Sequence, residues 1–483
     1  MSASETYATP TSAELLRDPI GRYPSATVAC FDATAGELPR RRLDEPRNIQ
    51  FLERLAAVGA PAVLIAASTG HGHVRTVEEL RQWFQVAARA NLRRTVKMAL
   101  LRPEDGLEAN LELLAELRGL GYPVVFFRPG NDLPRDASDE AVAASLAPLV
   151  REAARLELAV GIYSIPDVSG VRLTADAAAR LVAGPGGDHI VAAKVTEAVY
   201  ETSTLRYLEH PALKHLKIVQ GWDTHLARAL RDGPSYDASG RQRCGVTSGP
   251  MSFAVYQYLH IFAAVERSDW SEVSAAQEAV TAVFQSMQDD PTKFADLQRA
   301  KFIMGLGHPL TGEVTAERTQ RVMSALAELP RPADRSRMAR SLDLLGDGPF
   351  HARLVELSSG DTRTSVAELR QLVREFVDGR DWRKFHSPKN LSMALSVEAS
   401  ELMEHFQWLT TDASREIPGD PVKRQAVREE LADVLCYVLA LANELDIDLA
   451  TAIQDKMVQN IAKYPASEFR GRYGVEDKGD AIE

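Results

Sequence analysis

The chain has 483 residues, of which 45% are hydrophobic and 25% are charged. These fractions are typical of folded globular proteins and exclude wholesale disorder, a collagen-like chain and a small disulfide-stabilised domain. The 56 basic and 67 acidic side chains give a net charge of −11, which argues against a nucleic-acid polymer or an anionic membrane as a partner.

The cysteines and the apolar runs bear on the cellular compartment. Cys30, Cys244 and Cys436 lie far apart, without a CxxC pair or a histidine at zinc-binding spacing, so we interpret them as buried thiols in a reducing environment. No segment has the roughly 18 consecutive apolar residues of a membrane span, and the N-terminus lacks a targeting pattern. We therefore expect a cytoplasmic protein without a membrane anchor.

Short apolar and β-branched runs between residues 26 and 267 alternate with segments of helical periodicity. This alternation predicts a parallel sheet, and eight βα units in about 240 residues favour a TIM barrel over a doubly wound open sheet, which more often has five or six strands. The predicted strands are Ala26–Phe31, Ala62–Ala67, Thr95–Leu101, Pro123–Phe127, Ala159–Ile165, His189–Val195, Lys217–Trp222 and Gly245–Ser248.

The domain organisation follows from where these patterns change. After a lead-in at 1–25, we assign residues 26–330 to the barrel, including a helical extension at 270–287, 291–304 and 316–328. Proline and glycine clusters predict a linker at 331–364. Four helical segments then predict an all-α four-helix bundle at 365–466, followed by a polar tail at 467–483. The bundle segments are Val366–Asp378, Leu391–Trp408, Val422–Leu445 and Leu449–Ile461.

Two acidic pairs in the predicted bundle indicate a metal site. Glu398 and Glu401 lie three residues apart on one helix face, and Glu430 and Asp433 repeat that spacing on the next helix. Carboxylates facing each other among apolar residues are costly unless a hard cation such as Mg²⁺ neutralises them. The alternative is that each pair lies on a solvated helix face.

Ordered motifs around these carboxylates are more specific. They are Arg380 to Leu391, Glu398 to Trp408, Glu429 to Tyr437, and Lys456 to Pro465. Together they closely resemble the MazG-like nucleotide pyrophosphohydrolases, specifically the dCTP pyrophosphatase branch, over about 365–466.

The resemblance implies hydrolysis of a nucleoside triphosphate to the monophosphate and pyrophosphate, in a dimer or tetramer that assembles its sites between subunits. It implies that Mg²⁺ is bound by Glu398, Glu401, Glu430 and Asp433. It also implies that the base and sugar pocket is lined by His386, Trp408 and Tyr437, and that the phosphates or sugar are reached by Lys456 and Asn460. Trp408 and Tyr437, taken alone, favour a plain bundle core.

In the predicted barrel, polar residues follow or interrupt three apolar strands. Lys194 lies within one strand, where burial would lower the pKa of the amine and make it a nucleophile toward carbonyls; the alternative is a strand-end lysine that reaches solvent. Tyr163 on the preceding strand could move a proton. Ser68 and Thr69 begin a turn suited to binding a carboxylate.

At the carboxyl ends of three strands, this set resembles the dihydrodipicolinate synthase and N-acetylneuraminate lyase superfamily over about 20–330. The resemblance implies that Lys194 forms a Schiff base, Tyr163 relays protons, and Ser68 and Thr69 bind the carboxylate of a 2-oxo acid. The run from Gly245 to Ser248 matches the loop beside the Schiff base.

Departures from that superfamily concern the substrate. Val168 stands where dihydrodipicolinate synthases have an arginine, Phe126 and Phe127 replace paired tyrosines, and His71 replaces an acidic residue. We therefore do not expect the barrel to act in lysine biosynthesis, and we expect its substrate to be another 2-oxo acid or aldehyde.

The combined expectation is a bifunctional enzyme with a Mg²⁺-dependent hydrolase and a Schiff-base lyase or aldolase. Two alternatives remain open at this point: a hydrolase with an inert barrel as scaffold or regulator, and a non-catalytic nucleotide-binding regulator.

Overall fold

The computed structural model describes residues 9–35, 42–288, 295–307, 316–346, 350 and 364–471. The chain divides into two compact units, Met1–Leu357 and Ser358–Glu483. The first unit combines strands and helices, whereas the described part of the second is entirely helical.

Eight parallel strands of the first unit form a closed barrel in which each strand pairs with the next and the last pairs with the first. The predicted TIM barrel is thereby confirmed. The strands are β1 (Ala26–Ala29), β2 (Ala62–Ile65), β3 (Val96–Leu101), β4 (Val124–Phe127), β5 (Ala159–Ser164), β6 (Ile190–Val195), β7 (Lys217–Gln220) and β8 (Cys244–Ser248).

Helices connect the strands and extend the barrel, and a short antiparallel ribbon pairs Thr34–Ala35 with Arg42–Leu43. The connecting helices are Glu45–Ala57, Val77–Arg89, Leu107–Gly119, Asp139–Arg155, Ala175–Ala183, Thr204–Glu209 and Leu226–Asp232, and Val255–Glu266 follows β8. The described helices of the extension are Trp270–Gln285, Ala295–Ile303, Ala316–Glu328 and Pro332–Leu342.

Alternation of side chains along the strands produces two apolar clusters. Ala62 and Leu64 of β2 belong to the cluster inside the barrel, whereas Val63 and Ile65 belong to the larger cluster that includes the helices. Both faces of β2 are therefore apolar, as its continuous hydrophobic run in the sequence predicts.

The lead-in segment closes the barrel at the amino ends of its strands. The described residues form the short helices Ser12–Arg17 and Pro19–Arg22, and Leu15 joins the inner apolar cluster. The buried Lys217 amine donates hydrogen bonds to the Gln242 carbonyl at 2.6 Å and the Ile20 carbonyl at 3.4 Å. Paired with carbonyl oxygens, this lysine has a structural role distinct from that of Lys194.

The predicted linker at 331–364 is wrong for its first residues. Pro332–Leu342 is a helix whose Met338 and Leu342 are buried in the main apolar cluster. Asp334 accepts a hydrogen bond from the Gln257 side chain at 2.7 Å, which ties this helix to Val255–Glu266. The proline sits at the start of the helix, where a missing N–H costs nothing. Residues 351–363 of the predicted linker and 472–483 of the predicted tail lie outside the described residues.

The second unit contains the four predicted long helices but buries little. Its helices are Val366–Asp378, Pro388–Glu404, Thr411–Arg415, Pro421–Glu444, Leu449–Lys463 and Ala466–Phe469. The buried apolar side chains in its described part are Val377, Leu391, Ile417, Leu439, Ala440 and Ala442. Nothing in Leu449–Lys463 is buried.

None of the helices in the described ranges combines the length and apolar character needed to span a bilayer.

Candidate active sites

A cavity of about 330 Å³ opens at the carboxyl ends of the barrel strands. All four predicted barrel residues line it: Ser68, Thr69, Tyr163 and Lys194. The extension contributes Val280, Thr281, Phe284, Gln285 and Leu297 to its wall. The sequence analysis identified the extension but not its contribution to the cavity.

Lys194 is the buried amine of this cavity, with 4% of its surface exposed. Its strand β6 pairs with β5 so that Lys194 lies opposite Tyr163, and its Nζ lies 4.1 Å from the centroid of the tyrosine ring. Burial lowers the pKa of Lys194 to about 7, while the negative charge of Asp223 acts in the opposite direction. A large fraction of this amine is therefore neutral and nucleophilic near neutral pH.

Gly221 provides the room that Lys194 occupies. A Cβ atom at this position would lie 2.0 Å from Thr196 Oγ1 and 3.1 Å from Lys194 Cε. Any larger residue would displace the lysine or Thr196, so this glycine after β7 is required by close packing.

Tyr163 presents a neutral phenol beside the amine. Its hydroxyl accepts a hydrogen bond from Thr196 Oγ1 at 3.1 Å. Burial raises the pKa of Tyr163 well above its ordinary value. The tyrosine is therefore suited to donating a hydrogen bond, and it is a weak proton acceptor when neutral.

The turn after β2 is held in place from two sides. Thr69 Oγ1 donates to the Ala29 carbonyl at 2.8 Å, and the side chain of Gln298 donates to the Thr69 carbonyl at 2.9 Å. The Thr69 hydroxyl proton is therefore already engaged. Ser68 Oγ and Thr247 Oγ1 are buried, line the cavity and have no hydrogen-bond partner among the described residues. Such hydroxyls fit a polar ligand such as a carboxylate.

Asp223 and Thr196 are cavity residues that the sequence analysis missed, whereas Thr247 belongs to the run from Gly245 to Ser248 that the resemblance placed beside the Schiff base. Asp223 follows β7 after the pair Gly221 and Trp222, and the Tyr258 hydroxyl donates to its Oδ1 at 2.5 Å. Burial raises the pKa of this carboxyl. Its position just beyond the predicted strand 217–222 was an available signal, because parallel strands bring such residues to one edge.

Two of the residues that depart from the resembled superfamily, Phe126 and Val168, contribute to apolar packing. Phe126 belongs to the inner cluster, and a Cβ on Gly161 would lie within 2.3 Å of its ring. Val168 packs against the same cluster, and His71 is buried with its ring 6.0 Å from that of His73. Neither phenylalanine brings a second hydroxyl to the cavity.

In the second unit, three of the four predicted metal ligands converge. Glu398, Glu401 and Glu430 each place a carboxylate oxygen within 4.8 Å of the others. Desolvation raises the pKa of Glu398, and Glu401, Asp433 and Glu430 add to the effect through their negative charges. Asp433 thus lies near the cluster although it is outside this closest set. Such mutual repulsion is what a divalent cation relieves, so the donor set fits Mg²⁺.

The other predicted residues of this unit are only partly brought together. Tyr437 is close enough to Glu398 and Asp433 for their charges to raise its pKa, after the larger effect of desolvation. Trp408 is 87% exposed. His386 lines a separate cavity of about 310 Å³ with Arg374 and Asn443 among its neighbours. Lys456 and Asn460 lie on Leu449–Lys463, the helix without buried residues.

Comparison with known proteins identifies the second unit. Residues 393–474 match the MazG-like family model. Over 133 residues, 28% of this chain and 74% of the relative, the chain is 37% identical to dCTP pyrophosphatase 1 of Bos taurus. The chain belongs to the MazG-like dCTP pyrophosphatase family. That membership rests on the C-terminal part of the chain and on its carboxylate helices.

For the barrel, solved structures show the fold. One is YagE of E. coli K12, a prophage protein of the dihydrodipicolinic acid synthase family in complex with pyruvate. It is 16% identical, with a TM-score of 0.53 over 64% of this chain and 98% of its own. Another is a catalytic lysine mutant of Ruminococcus gnavus sialic acid aldolase. It is also 16% identical, with a TM-score of 0.53 over 66% of this chain and 96% of its own.

The lowered pKa of Lys194 predicts selective reactivity. In reductive methylation with formaldehyde and cyanoborohydride, Lys194 is expected to react with a midpoint near its pKa of about 7, because only the neutral amine attacks the carbonyl. Peptide mass spectrometry between pH 5 and 9 measures the rate at each lysine. The exposed Lys384 is the control. A Lys194 rate that follows Lys384 would contradict the prediction.

Proposed function

We propose that this protein is a bifunctional enzyme. Its second unit hydrolyses a nucleoside triphosphate, with dCTP or a modified dCTP favoured, to the monophosphate and pyrophosphate. Its barrel forms a Schiff base with a 2-oxo acid and performs lyase, aldolase or dehydratase chemistry. The family membership supports the first activity, and the buried Lys194 amine in a cavity with unpartnered hydroxyls supports the second.

In the hydrolase, the converging carboxylates of Glu398, Glu401 and Glu430 are the observation that carries the proposal. These residues, with Asp433 close by, would hold Mg²⁺. Bound there, Mg²⁺ would neutralise phosphate charge and lower the pKa of a water molecule. Tyr437 beside the cluster and the exposed Trp408 offer ring faces on which a base can stack, and Lys456 offers a charge for phosphate.

In the barrel, the neutral amine of Lys194 adds to the C2 carbonyl of the 2-oxo acid, and the carbinolamine loses water to give an imine. Ser68 Oγ and the backbone of the turn after β2 would receive the carboxylate. The phenol of Tyr163 would donate a hydrogen bond to the oxygen that departs as water.

The second unit also supports a homo-oligomer. Of the large apolar side chains that are exposed in the described chain, all but Val74, Leu107 and Val199 lie in this unit. Ile453, Met457 and Ile461 form a stripe at helical spacing on Leu449–Lys463, and each is about half exposed or more. Surfaces of this kind mark subunit interfaces. We propose that a second copy covers them and that Lys456 and Asn460 reach a carboxylate cluster in the assembled enzyme.

The hydrolase is tested by removing one carboxylate charge. Glu398→Gln is expected to reduce Mg²⁺-dependent pyrophosphate release from dCTP by about 100-fold or more, since the cluster would lose a metal ligand. Chelation of Mg²⁺ in the wild type should have the same effect. Glu404→Gln, one turn further along the same helix, is the matched control and should retain activity. Normal release by Glu398→Gln would show that the metal site lies elsewhere.

The assembly is tested by placing a charge in the apolar stripe. Ile453→Asp is expected to convert the oligomer to monomers in light scattering and to abolish pyrophosphate release, because a carboxylate would be buried without a partner. Gln459→Asp introduces the same charge at an exposed polar position of the same helix and should leave both properties unchanged. An Ile453→Asp variant that stays oligomeric and active would exclude this stripe as the interface.

The barrel is tested by trapping the imine. Incubation with pyruvate and borohydride is expected to add one reduced pyruvyl group to Lys194, identified by intact mass and peptide mapping, and Lys194→Ala should show none. Other 2-oxo acids are compared in the same assay to find the best substrate. If no acid gives an adduct while pyrophosphate release is normal, the barrel is a scaffold or regulator of the hydrolase.

A further inference from the structure

Asp223 is a carboxyl of the barrel cavity that the chemistry above does not use. It begins a short turn, Asp223–His225, directly after β7 and lines the same cavity as Lys194. Among the described residues, one other carboxyl lines this cavity, that of Asp167, which lies at an exposed position after β5. Asp223 is the more enclosed of the two, and its charge acts on the lysine amine.

The carboxyl of Asp223 is anchored through one oxygen. Ser248 Oγ from β8 and the Tyr258 hydroxyl from the helix Val255–Glu266 both donate to Oδ1. No hydrogen bond from another described residue goes to Oδ2. Two buried hydroxyls thus fix the orientation of the group and leave one oxygen for a ligand, which is the arrangement expected of a positioned acid or base.

The remaining groups near Lys194 are poor proton acceptors. The Tyr163 hydroxyl already accepts a hydrogen bond from Thr196, and burial favours its neutral form. Formation of an enamine from an imine requires a base that removes a proton from the carbon next to the imine, and Asp223 is the enclosed carboxylate that can supply it.

We propose that Asp223 is the acid–base residue of the barrel, a role that rests on the proposed Schiff-base function of Lys194. Its Oδ2 accepts a proton from C3 of the lysine-bound 2-oxo acid. The C3–H electron pair forms the C2=C3 double bond, and the π pair of the protonated imine moves onto nitrogen. In the reverse direction Asp223 returns the proton to C3, so no other reactant is consumed.

The electrostatics are compatible with this role. Burial raises the pKa of Asp223, so its carboxylate holds a proton more strongly than the carboxylate of a solvated aspartate. A carboxylate of this kind is a stronger general base in its ionised form.

The proposal is tested with pyruvate as the probe. In D2O the wild type should exchange the methyl protons of pyruvate for deuterium, which NMR follows directly. Asp223→Asn is expected to slow this exchange by about 100-fold or more while borohydride still traps pyruvate on Lys194. Asp232→Asn is the matched control, because Asp232 also accepts a tyrosine hydroxyl, from Tyr200 at 3.0 Å, but does not line the cavity; its exchange should equal that of the wild type.

A second variant separates proton transfer from folding. Asp223→Ala should lose exchange and regain part of it when formate is added, because a small carboxylate can replace the missing base, which a purely structural role would not allow. Exchange by Asp223→Asn within about threefold of the wild type, or trapping lost together with exchange and without formate rescue, would overturn the proposal. A wild type that traps pyruvate without exchanging its protons would also overturn it. A wild type that traps no 2-oxo acid would remove the Schiff-base function itself.

Discussion

The burial of the Lys194 amine within an apolar strand is the constraint on which the barrel cavity depends. The residues around this amine provide the space and the contacts that accommodate it. The shift of its pKa from 10.5 to about 7 means that protonating this amine costs on the order of 5 kcal/mol more than protonating a solvated lysine. The ring of Tyr163 covers one side, and Gly221 leaves the space for the side chain. Burial destabilises the protonated form of this lysine, and it thereby increases the fraction of neutral, nucleophilic amine.

The composition of the cavity wall narrows what can bind there. Phe126 belongs to the inner apolar cluster and Val168 packs against it, so neither adds a polar group to the cavity. The polar residues that line the cavity include Ser68, Thr247 and Asp223. A ligand that matches this wall has one anionic end and one polar group near the carboxyl of Asp223, with an apolar border formed by Phe284 and Leu297 of the extension.

The second unit contains two features that are unfavourable in an isolated chain. Its carboxylates Glu398, Glu401 and Glu430 repel one another, and many of its large apolar side chains are exposed within one chain. A bound cation would relieve the repulsion between the carboxylates, and a subunit interface would cover the exposed apolar side chains. The barrel, by contrast, forms its core and its cavity from residues of a single chain.

The sequence by itself was enough to predict the barrel, the helices of the second unit and several residues of the candidate sites. The strands were visible because each is a short apolar run between breakers, and Lys194 and Tyr163 stood out because they are polar exceptions in such runs. The helix Pro332–Leu342 was missed because its many charged residues hide a narrow buried face around Met338 and Leu342. Only the tertiary structure decided that Asp223 and Leu297 line the same cavity as Lys194. They lie far apart along the chain, and closure of the barrel and docking of its helical extension bring them together, so no local pattern records their contact.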